Sequence, residues 1–394
     1  MRSALLLVLL SFVSCSPPKA PPTQVQRFGF TPRWAYQPWI SKDISTGADT
    51  YDFVGGFEQR GIPVGVVVLD SPWETNYNTF IPNEARYPKF EEMVANLRAR
   101  NVRTVLWITQ MLNEGSFDAE VGGDVYPGAA DGFREALSKG YFVNDGQLTF
   151  WWKGRGGGID FSNDEARAFW HAKQERVLKV IDGWKCDFGE DYLRTGEQTA
   201  IAAKDISVKT KQGTITLQQY SEAYYEDFLT HGRAVRGREF LTMVRPWDGS
   251  YGFPGRFYAR KEHTPIGWVG DNRRDWIGLE DALDHIFRSA AAGYVAIGSD
   301  LGGSRPRRPR ARGPAHSLQP DELRAVDGGE RAVALHAAPW PRQPRAVDGA
   351  GARRRDGRAV PVLVEAPCAA DSVPVLVGRG GLPRRPGAAD SPRR

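Results

Sequence analysis

The chain has 394 residues, of which 41% are hydrophobic and 12 are tryptophan, enough for a packed core in one large domain or two ordinary ones. Its net charge of +5 comes with an arginine-rich C-terminal end and no basic helical stripe, which argues against a nucleic-acid-binding protein. Three cysteines and six scattered histidines provide neither a disulfide framework nor metal-ligand spacing, so we expect no bound metal and no cofactor.

The N-terminal residues predict export. Met1-Arg2-Ser3 precede an apolar run from Ala4 to Val13 that is too short to span a membrane. This pattern predicts a signal peptide over residues 1–15. Cys15 stands where a bacterial lipoprotein signal carries its lipidated cysteine, which predicts a lipid anchor, with simple cleavage as the alternative. We therefore expect a secreted, periplasmic or membrane-anchored protein that faces outside the cytoplasm.

After a Pro-rich linker over residues 16–27, strand-like runs alternate with helix-like segments. The predicted strands are Val64 to Leu69, Arg103 to Ile108, Gly157 to Phe161, Gly183 to Phe188, Phe240 to Arg245, Ile266 to Val269 and Val295 to Gly298. The helix-like segments include Lys89 to Arg100, Asp164 to Val180, Tyr220 to Arg236 and Trp276 to Ala292. This α/β alternation predicts a parallel sheet, and the segment lengths fit a (β/α)8 TIM barrel over residues 28–303.

A doubly wound sheet would produce a similar alternation, but acids or aromatics at nearly every strand end favour the barrel. The residues at those ends are Asp70, Trp107, Asp160, Asp187, Arg245, Asp271 and Asp300. In a barrel the carboxyl ends of the strands form the catalytic face. The sequence therefore predicts one site built from these side chains.

The C-terminal segment, residues 304–394, differs in composition from the rest. It contains no Phe, Tyr, Ile, Met, Lys, Asn or Thr. We interpret it as a low-complexity tail produced by a shift of reading frame near Gly303 in a GC-rich gene, with a genuine disordered tail as the alternative. On this interpretation the barrel is incomplete at its C-terminal end and lacks its last strand.

Two motifs place carboxylates after short apolar runs: Lys185-Cys186-Asp187-Phe188-Gly189-Glu190 and Trp268-Val269-Gly270-Asp271-Asn272. Both resemble the nucleophile and acid/base motifs of glycoside hydrolase family 31, and the resemblance extends in order from about Phe28 to Gly303. It implies a retaining α-glycoside hydrolase with Asp187 as nucleophile and Asp271 as acid/base. Either Asp, taken alone, could instead cap the following helix.

The same resemblance implies further contacts with the sugar. The residues concerned are Asp70, Trp107, Lys185, Arg245, Trp268 and Asp300. Lys185 should favour the ionised form of Asp187, and apolar neighbours should favour the protonated form of Asp271. Capping, a structural salt bridge and core packing are the competing roles for the Asp, Arg and Trp residues respectively.

The expected partner is an α-linked oligosaccharide or glycoside of glucose, xylose or galactose; nothing in the sequence indicates the oligomeric state. A glucan lyase or transglycosylase on the same fold is one alternative. A catalytically inactive carbohydrate-binding relic is another, favoured by the C-terminal segment that breaks off the barrel.

Overall fold

The computed structural model describes residues 30–118, 120, 122–188, 206–248 and 255–301, together with the backbone of 330–337. All of these belong to one compact unit, Met1–Trp340. The predicted signal peptide, Cys15, the linker and the rest of the tail lie outside the described residues. Within those ranges, none of the helices combines the length and apolar character needed to cross a membrane.

A closed barrel of eight strands forms the centre of the described fold. Seven strands run parallel: β1 (Trp39–Lys42), β2 (Val66–Leu69), β3 (Arg103–Ile108), β4 (Gly183–Cys186), β5 (Leu241–Val244), β6 (Ile266–Trp268) and β7 (Ala296–Leu301). Trp39 lies beside Val66, and Val66 lies beside Arg103, so the first three strands are in register. The predicted (β/α)8 class is therefore confirmed.

The eighth position is filled by a strand from the C-terminal segment. This strand, β8 (Glu330–Ala337), runs antiparallel between β7 and β1. The sequence predicts a barrel that is left open at this point, which would expose unpaired backbone groups on two strand edges. In the structure the backbone of β8 pairs with both edges, although its direction is opposite to that of the other seven strands.

One predicted strand is wrong, and one barrel strand was not predicted. Gly157 to Phe161 overlaps a strand of an inserted sheet and is not a barrel strand. The unpredicted strand is β1, because Trp39–Lys42 is only four residues long and includes the polar residues Ser41 and Lys42. Asp70 therefore follows the second barrel strand instead of the first.

In the part of the chain that the structure describes, six α-helices accompany the strands: α1 (Gly47–Gln59), α2 (Phe90–Ala99), α3 (Phe133–Ser138), α4 (Asp164–Leu178), α5 (Leu217–Arg236) and α6 (Trp276–Ala291). The four predicted helices correspond to α2, α4, α5 and α6. Side chains determine where several helices begin: Thr46 and Thr216 each form a reciprocal capping box at α1 and α5. Short 3-10 turns span Arg33–Tyr36, Ser71–Trp73, Asn144–Gly146 and Lys261–His263.

Alternate residues of strand β2 belong to two different cores. Val66 and Val68 of β2 pack inside the barrel in one cluster with Trp268. Val67 and Leu69 belong to the larger cluster formed with the surrounding helices. This two-residue periodicity, expected of a strand, leaves both faces of β2 buried and explains its continuous apolar sequence.

An inserted antiparallel sheet separates β3 from α4. Its four strands are Met111–Phe117, Val125–Tyr126, Thr149–Trp151 and Gly154–Gly158. The last of these is rich in glycine and pairs antiparallel with Met111–Phe117. A Cβ on Gly156 would lie against the carbonyl oxygen of Leu112, so glycine allows the two strands to approach. Two smaller hairpins pair Ser207–Thr210 with Gly213–Thr216 and Trp247–Asp248 with Arg256–Phe257.

Candidate active site

The eight predicted site residues lie in or just after strands β2 to β7. Asp70 follows β2, Asp187 follows β4, Arg245 follows β5 and Asp271 lies three residues beyond β6. The remaining four, Trp107, Lys185, Trp268 and Asp300, lie within the strands themselves. Because these strands are parallel, their carboxyl ends meet at one end of the barrel. All eight side chains belong to buried residues that are at most 7% exposed.

Asp187 is held by donors on both carboxylate oxygens. The indole Nε1 of Trp107 donates to Oδ2 at 2.9 Å. The backbone N–H of Phe188 donates to Oδ1 at 3.0 Å, and Phe188 adopts a left-handed conformation with φ 50°. These bonds fix the orientation of the carboxylate at the end of β4.

Arg245 joins the two predicted catalytic carboxylates. Its Nη2 lies 2.9 Å from Oδ1 of Asp187 and 3.2 Å from Oδ2 of Asp271. The two oxygens share one neighbouring nitrogen, so they can be no more than about 6.1 Å apart. The structure therefore brings Asp187 and Asp271 together, as the sequence predicts for a common pocket.

Burial and charge act in opposite directions on Asp187. Burial, the largest influence, raises the pKa of Asp187 above the usual aspartate value, and Asp271 raises it further. Arg245 and then Lys185 lower this pKa, as does the hydrogen bond from Trp107. The cation Lys185 thus acts in the predicted direction, but Arg245 has the larger effect of the two. Asp271 is predicted to have apolar neighbours that favour its protonated form, and the structure adds a guanidinium that contacts it directly.

A second ion pair lies beside the first. The Nζ of Lys185 lies 2.8 Å from Oδ2 of Asp70, and each side chain is 5% exposed. The same ammonium lies 4.6 Å from the ring centroid of Trp268. Trp268 in turn donates its indole N–H to Oδ1 of Asp300 at 2.9 Å. Asp70, Lys185, Trp268 and Asp300 therefore form one connected polar cluster next to Asp187 and Asp271.

Asp160, another acidic residue predicted at the catalytic face, lies away from this cluster. Asp160 follows the inserted sheet, where its carboxylate accepts hydrogen bonds from the backbone N–H groups of Ser162 and Lys211. It therefore stabilises two turns instead of contributing to the catalytic face. Glu190, the last residue of the nucleophile motif, and Asp191 next to it lie outside the described residues.

Tyr224 also supports the site, although it was not among the predicted site residues. Its hydroxyl, on α5, lies 3.1 Å from the carbonyl oxygen of Ile108 and 3.3 Å from that of Asp187. It therefore ties the ends of β3 and β4 together behind the site. Consecutive buried tyrosines on a helix normally indicate core packing, so no signal in the sequence separates this role from that of Tyr225.

Known proteins match this chain over the same region. The family model for the glycosyl hydrolases family 31 TIM-barrel domain matches residues 29–317. An alpha-xylosidase of Emericella nidulans is 22% identical over 69% of this chain and 32% of its own length. Alpha-glucosidase 2 of Bacillus thermoamyloliquefaciens is 24% identical over 70% of this chain and 34% of its own length. The chain thus spans about a third of the length of these curated relatives.

Solved structures agree with the fold. A family 31 dextranase of Flavobacterium johnsoniae with glucose superposes with a TM-score of 0.58 at 17% identity, covering 71% of this chain and 33% of the dextranase. The cycloalternan-forming enzyme of Listeria monocytogenes gives a TM-score of 0.56 at 17% identity, over 71% of this chain and 26% of its own. The family match covers well over half of the sequence and coincides with the barrel and its site. This chain belongs to glycoside hydrolase family 31.

Proposed function

We propose that this chain carries the catalytic barrel of a retaining α-glycoside hydrolase, with Asp187 as nucleophile and Asp271 as acid/base. The observation that supports this most strongly is the upper limit of about 6.1 Å between their oxygens. Retaining glycosidases place their two carboxyl groups about 5–5.5 Å apart, whereas inverting enzymes leave about 6.5–9.5 Å for a water molecule. An upper limit of about 6.1 Å between one oxygen of each group is compatible with the shorter spacing and with direct attack by a carboxylate.

The proposed reaction has two displacements. In the first, an Asp187 oxygen bonds to the anomeric carbon while the glycosidic C–O bond breaks, and the leaving oxygen takes the proton of Asp271. In the second, Asp271 removes a proton from water, whose oxygen bonds to the anomeric carbon and releases Asp187. Arg245 contacts both carboxylates, so its positive charge can stabilise whichever of them is ionised in each step.

The remaining site residues are assigned to sugar binding. Asp70 and Lys185 offer an acceptor and a donor to sugar hydroxyls, and Asp300 offers a further acceptor. Indole faces stack on the apolar C–H faces of sugars, which suits Trp107 and Trp268. The relatives are named alpha-xylosidase, alpha-glucosidase and 1,3-alpha-isomaltosidase, which supports an α-linked glucoside or xyloside as substrate.

The test is turnover of a panel of aryl α-glycosides by the full chain. We expect Asp187→Asn to reduce kcat by about a thousandfold or more, because the amide cannot form the glycosyl ester. The anomer released first, followed by proton NMR, should keep the α configuration. Release of the β anomer, or undiminished turnover by Asp187→Asn, would refute the assignment.

A transglycosylase is the second candidate, and the name of the cycloalternan-forming enzyme favours it. A transferase uses the same glycosyl ester but passes the sugar to another saccharide instead of to water. Product analysis with an α-linked disaccharide separates the two: longer oligosaccharides indicate transfer, and free monosaccharide indicates hydrolysis. An unsaturated anhydro-sugar would indicate a lyase, and sugar binding without turnover would indicate a relic.

We further propose that the protein acts outside the cytoplasm. The support is the sequence of residues 1–15, with Cys15 as the site of lipid attachment. Expression in a bacterial host with labelled palmitate tests this: wild type should carry the label in the membrane fraction, and Cys15→Ser should not. Unlabelled protein in the cytoplasmic fraction would rule the proposal out.

A further inference from the structure

The indole that donates to the nucleophile is enclosed by two other tryptophans. The ring of Trp107 lies parallel to that of Trp151, with centroids 6.5 Å apart and 2° between planes. Trp152 packs perpendicular to Trp107 at 6.1 Å. Both neighbours come from the inserted sheet, at the end of the strand Thr149–Trp151. The position of the donor to Asp187 therefore depends on the insert as well as on β3.

Trp152 contacts the second donor to the nucleophile too. Its ring packs at 64° against that of Phe188, with centroids 5.9 Å apart. The backbone N–H of Phe188 donates to Oδ1 of Asp187, while Trp107 donates to Oδ2. A shift of the Trp152 ring would thus displace both groups that donate hydrogen bonds to the Asp187 carboxylate.

The ring of Trp152 is held by a buried cation. The Nζ of Lys153 lies 3.7 Å from the Trp152 ring centroid and 5.1 Å from that of Tyr77. Lys153 is completely buried. The indole Nε1 of Trp152 is buried and, among the described residues, has no hydrogen-bond partner. Packing and the ammonium above its face are therefore what orient this ring.

Two carboxylates fix the ammonium in turn. Nζ of Lys153 lies 2.5 Å from Oδ2 of Asp118, whose side chain is also fully buried, and 3.3 Å from Oε2 of Glu120. The ammonium of Lys153 is therefore held between these two carboxylates and the Trp152 indole. A continuous line of contacts thus runs from Asp118 through Lys153 and Trp152 in the insert to Trp107 in β3.

We propose that Lys153 is a positioning residue for the nucleophile, acting through Trp152 on the two groups that donate to Asp187. The catalytic importance of this role rests on the proposed function, in which Asp187 is the nucleophile. It assigns the inserted sheet a role in catalysis: the sheet determines how well the ionised carboxylate is stabilised. A purely structural Lys153 would only neutralise Asp118 within the insert, and its loss would change stability alone.

The test uses the full chain and a readout that does not need turnover. Carboxyl 13C NMR of aspartate-labelled protein follows the titration of Asp187, whose signal is assigned by its loss in Asp187→Asn. In Lys153→Met we expect the pKa of Asp187 to be higher than in wild type, because a displaced Trp107 stabilises the carboxylate less. The indole N–H resonance of Trp107 should shift as well. Lys153→Arg should restore both towards the wild-type values.

A matched control and a second variant complete the design. Lys139 also pairs with a carboxylate, Glu135, and its Nζ lies 5.8 Å from the ring centroid of Tyr141, but it is exposed just after α3. Lys139→Met should leave the Asp187 titration unchanged. If Lys153→Met does not fold because Asp118 loses its cation, Lys153→Met with Asp118→Asn removes both charges and carries the same test.

The outcomes separate this inference from the proposed function. A raised pKa of Asp187, with a fall in kcat/KM of about tenfold to a hundredfold on an aryl α-glycoside, supports both. A raised pKa in a chain without turnover supports the positioning role and counts against the hydrolase. An unchanged Asp187 titration in the folded Lys153 variant overturns the positioning role, whatever the activity.

Discussion

Arg245 lies against Asp187 with 2.9 Å between Nη2 and Oδ1, and the guanidinium side chain is fully buried. The same nitrogen reaches Asp271 at 3.2 Å. The guanidinium also lies 4.3 Å from the ring centroid of Trp268 and 4.6 Å from that of Phe188. One cation between two carboxylates can reduce their mutual repulsion while it keeps them close enough to act on one bond.

Replacing Arg245 should change the pH dependence of catalysis. Arg245 lowers the pKa of Asp187, and the nucleophile must be ionised, so Arg245→Met should move the acidic limb of kcat/KM to higher pH. We expect kcat/KM at its optimum to fall by about a hundredfold to a thousandfold. Arg245→Lys retains the charge and should shift the limb less. An acidic limb that stays in place in Arg245→Met would show that the contact has no effect on the nucleophile.

Gly270 should be essential for the placement of Arg245. Its φ is +84°, and a Cβ there would lie 3.2 Å from Nη1 of Arg245. Gly61 has φ +69° and nothing within 4 Å of the same position, so it serves as the control. Each Gly→Ala change should cost about 1–2 kcal/mol of stability through left-handed strain. Kinetic assays should find a loss of kcat/KM in Gly270→Ala only; equal activity in the two variants would disprove the role of this glycine.

The Asp70–Lys185 pair should show strong coupling. Lys185→Met leaves a buried carboxylate without its ammonium partner at 2.8 Å, which should cost about 3–5 kcal/mol of unfolding free energy. The double variant Asp70→Asn with Lys185→Met should cost less than the sum of the single changes. Urea unfolding of the four proteins measures this coupling. Additive single changes would mean that the ion pair contributes nothing of its own.

His231 should make the fold sensitive to acid. Burial lowers the pKa of His231 to about 4, and the parallel ring of His171, 3.7 Å away, lowers it as well, although Asp227 and Glu175 act in the opposite direction. Between the ordinary histidine value near 6.5 and about 4, the unfolded chain binds the additional proton, so stability should decrease as the pH falls. His231→Phe keeps a ring and does not titrate. Urea unfolding at pH 7 and pH 4.5 should show a smaller acid-induced loss in this variant, and an equal loss in both proteins would exclude His231 as the cause.

The sequence predicts those parts of the fold that depend on local pattern. Val66–Leu69 is apolar throughout because both of its faces are buried, and such a run is recognisable without a structure. Asp187 and Asp271 are recognisable from their flanking residues. By contrast, β1 is a barrel strand only because its neighbours pair with it, and the run that includes Gly157 is equally strand-like but pairs within the insert.

The contacts that define the site depend on long-range packing. Arg245 and Asp271 are 26 positions apart, and Trp107 and Asp187 are 80 positions apart. No periodicity in the sequence indicates which cation faces which carboxylate, so Lys185 looks like the main partner of Asp187 when Arg245 in fact contacts it. The contribution of Lys153 is hidden for the same reason, since a lysine between strands normally indicates solvent exposure.

Covalent labelling tests the central claim most directly. A 5-fluoro-α-glycosyl fluoride traps the glycosyl ester of a retaining enzyme, and peptide mass spectrometry locates the modified residue. The proposed mechanism predicts one sugar on Asp187 and none in Asp187→Asn. A label on any other carboxylate, or turnover without a trapped ester, would contradict the assignment of Asp187 and Asp271 as a retaining pair.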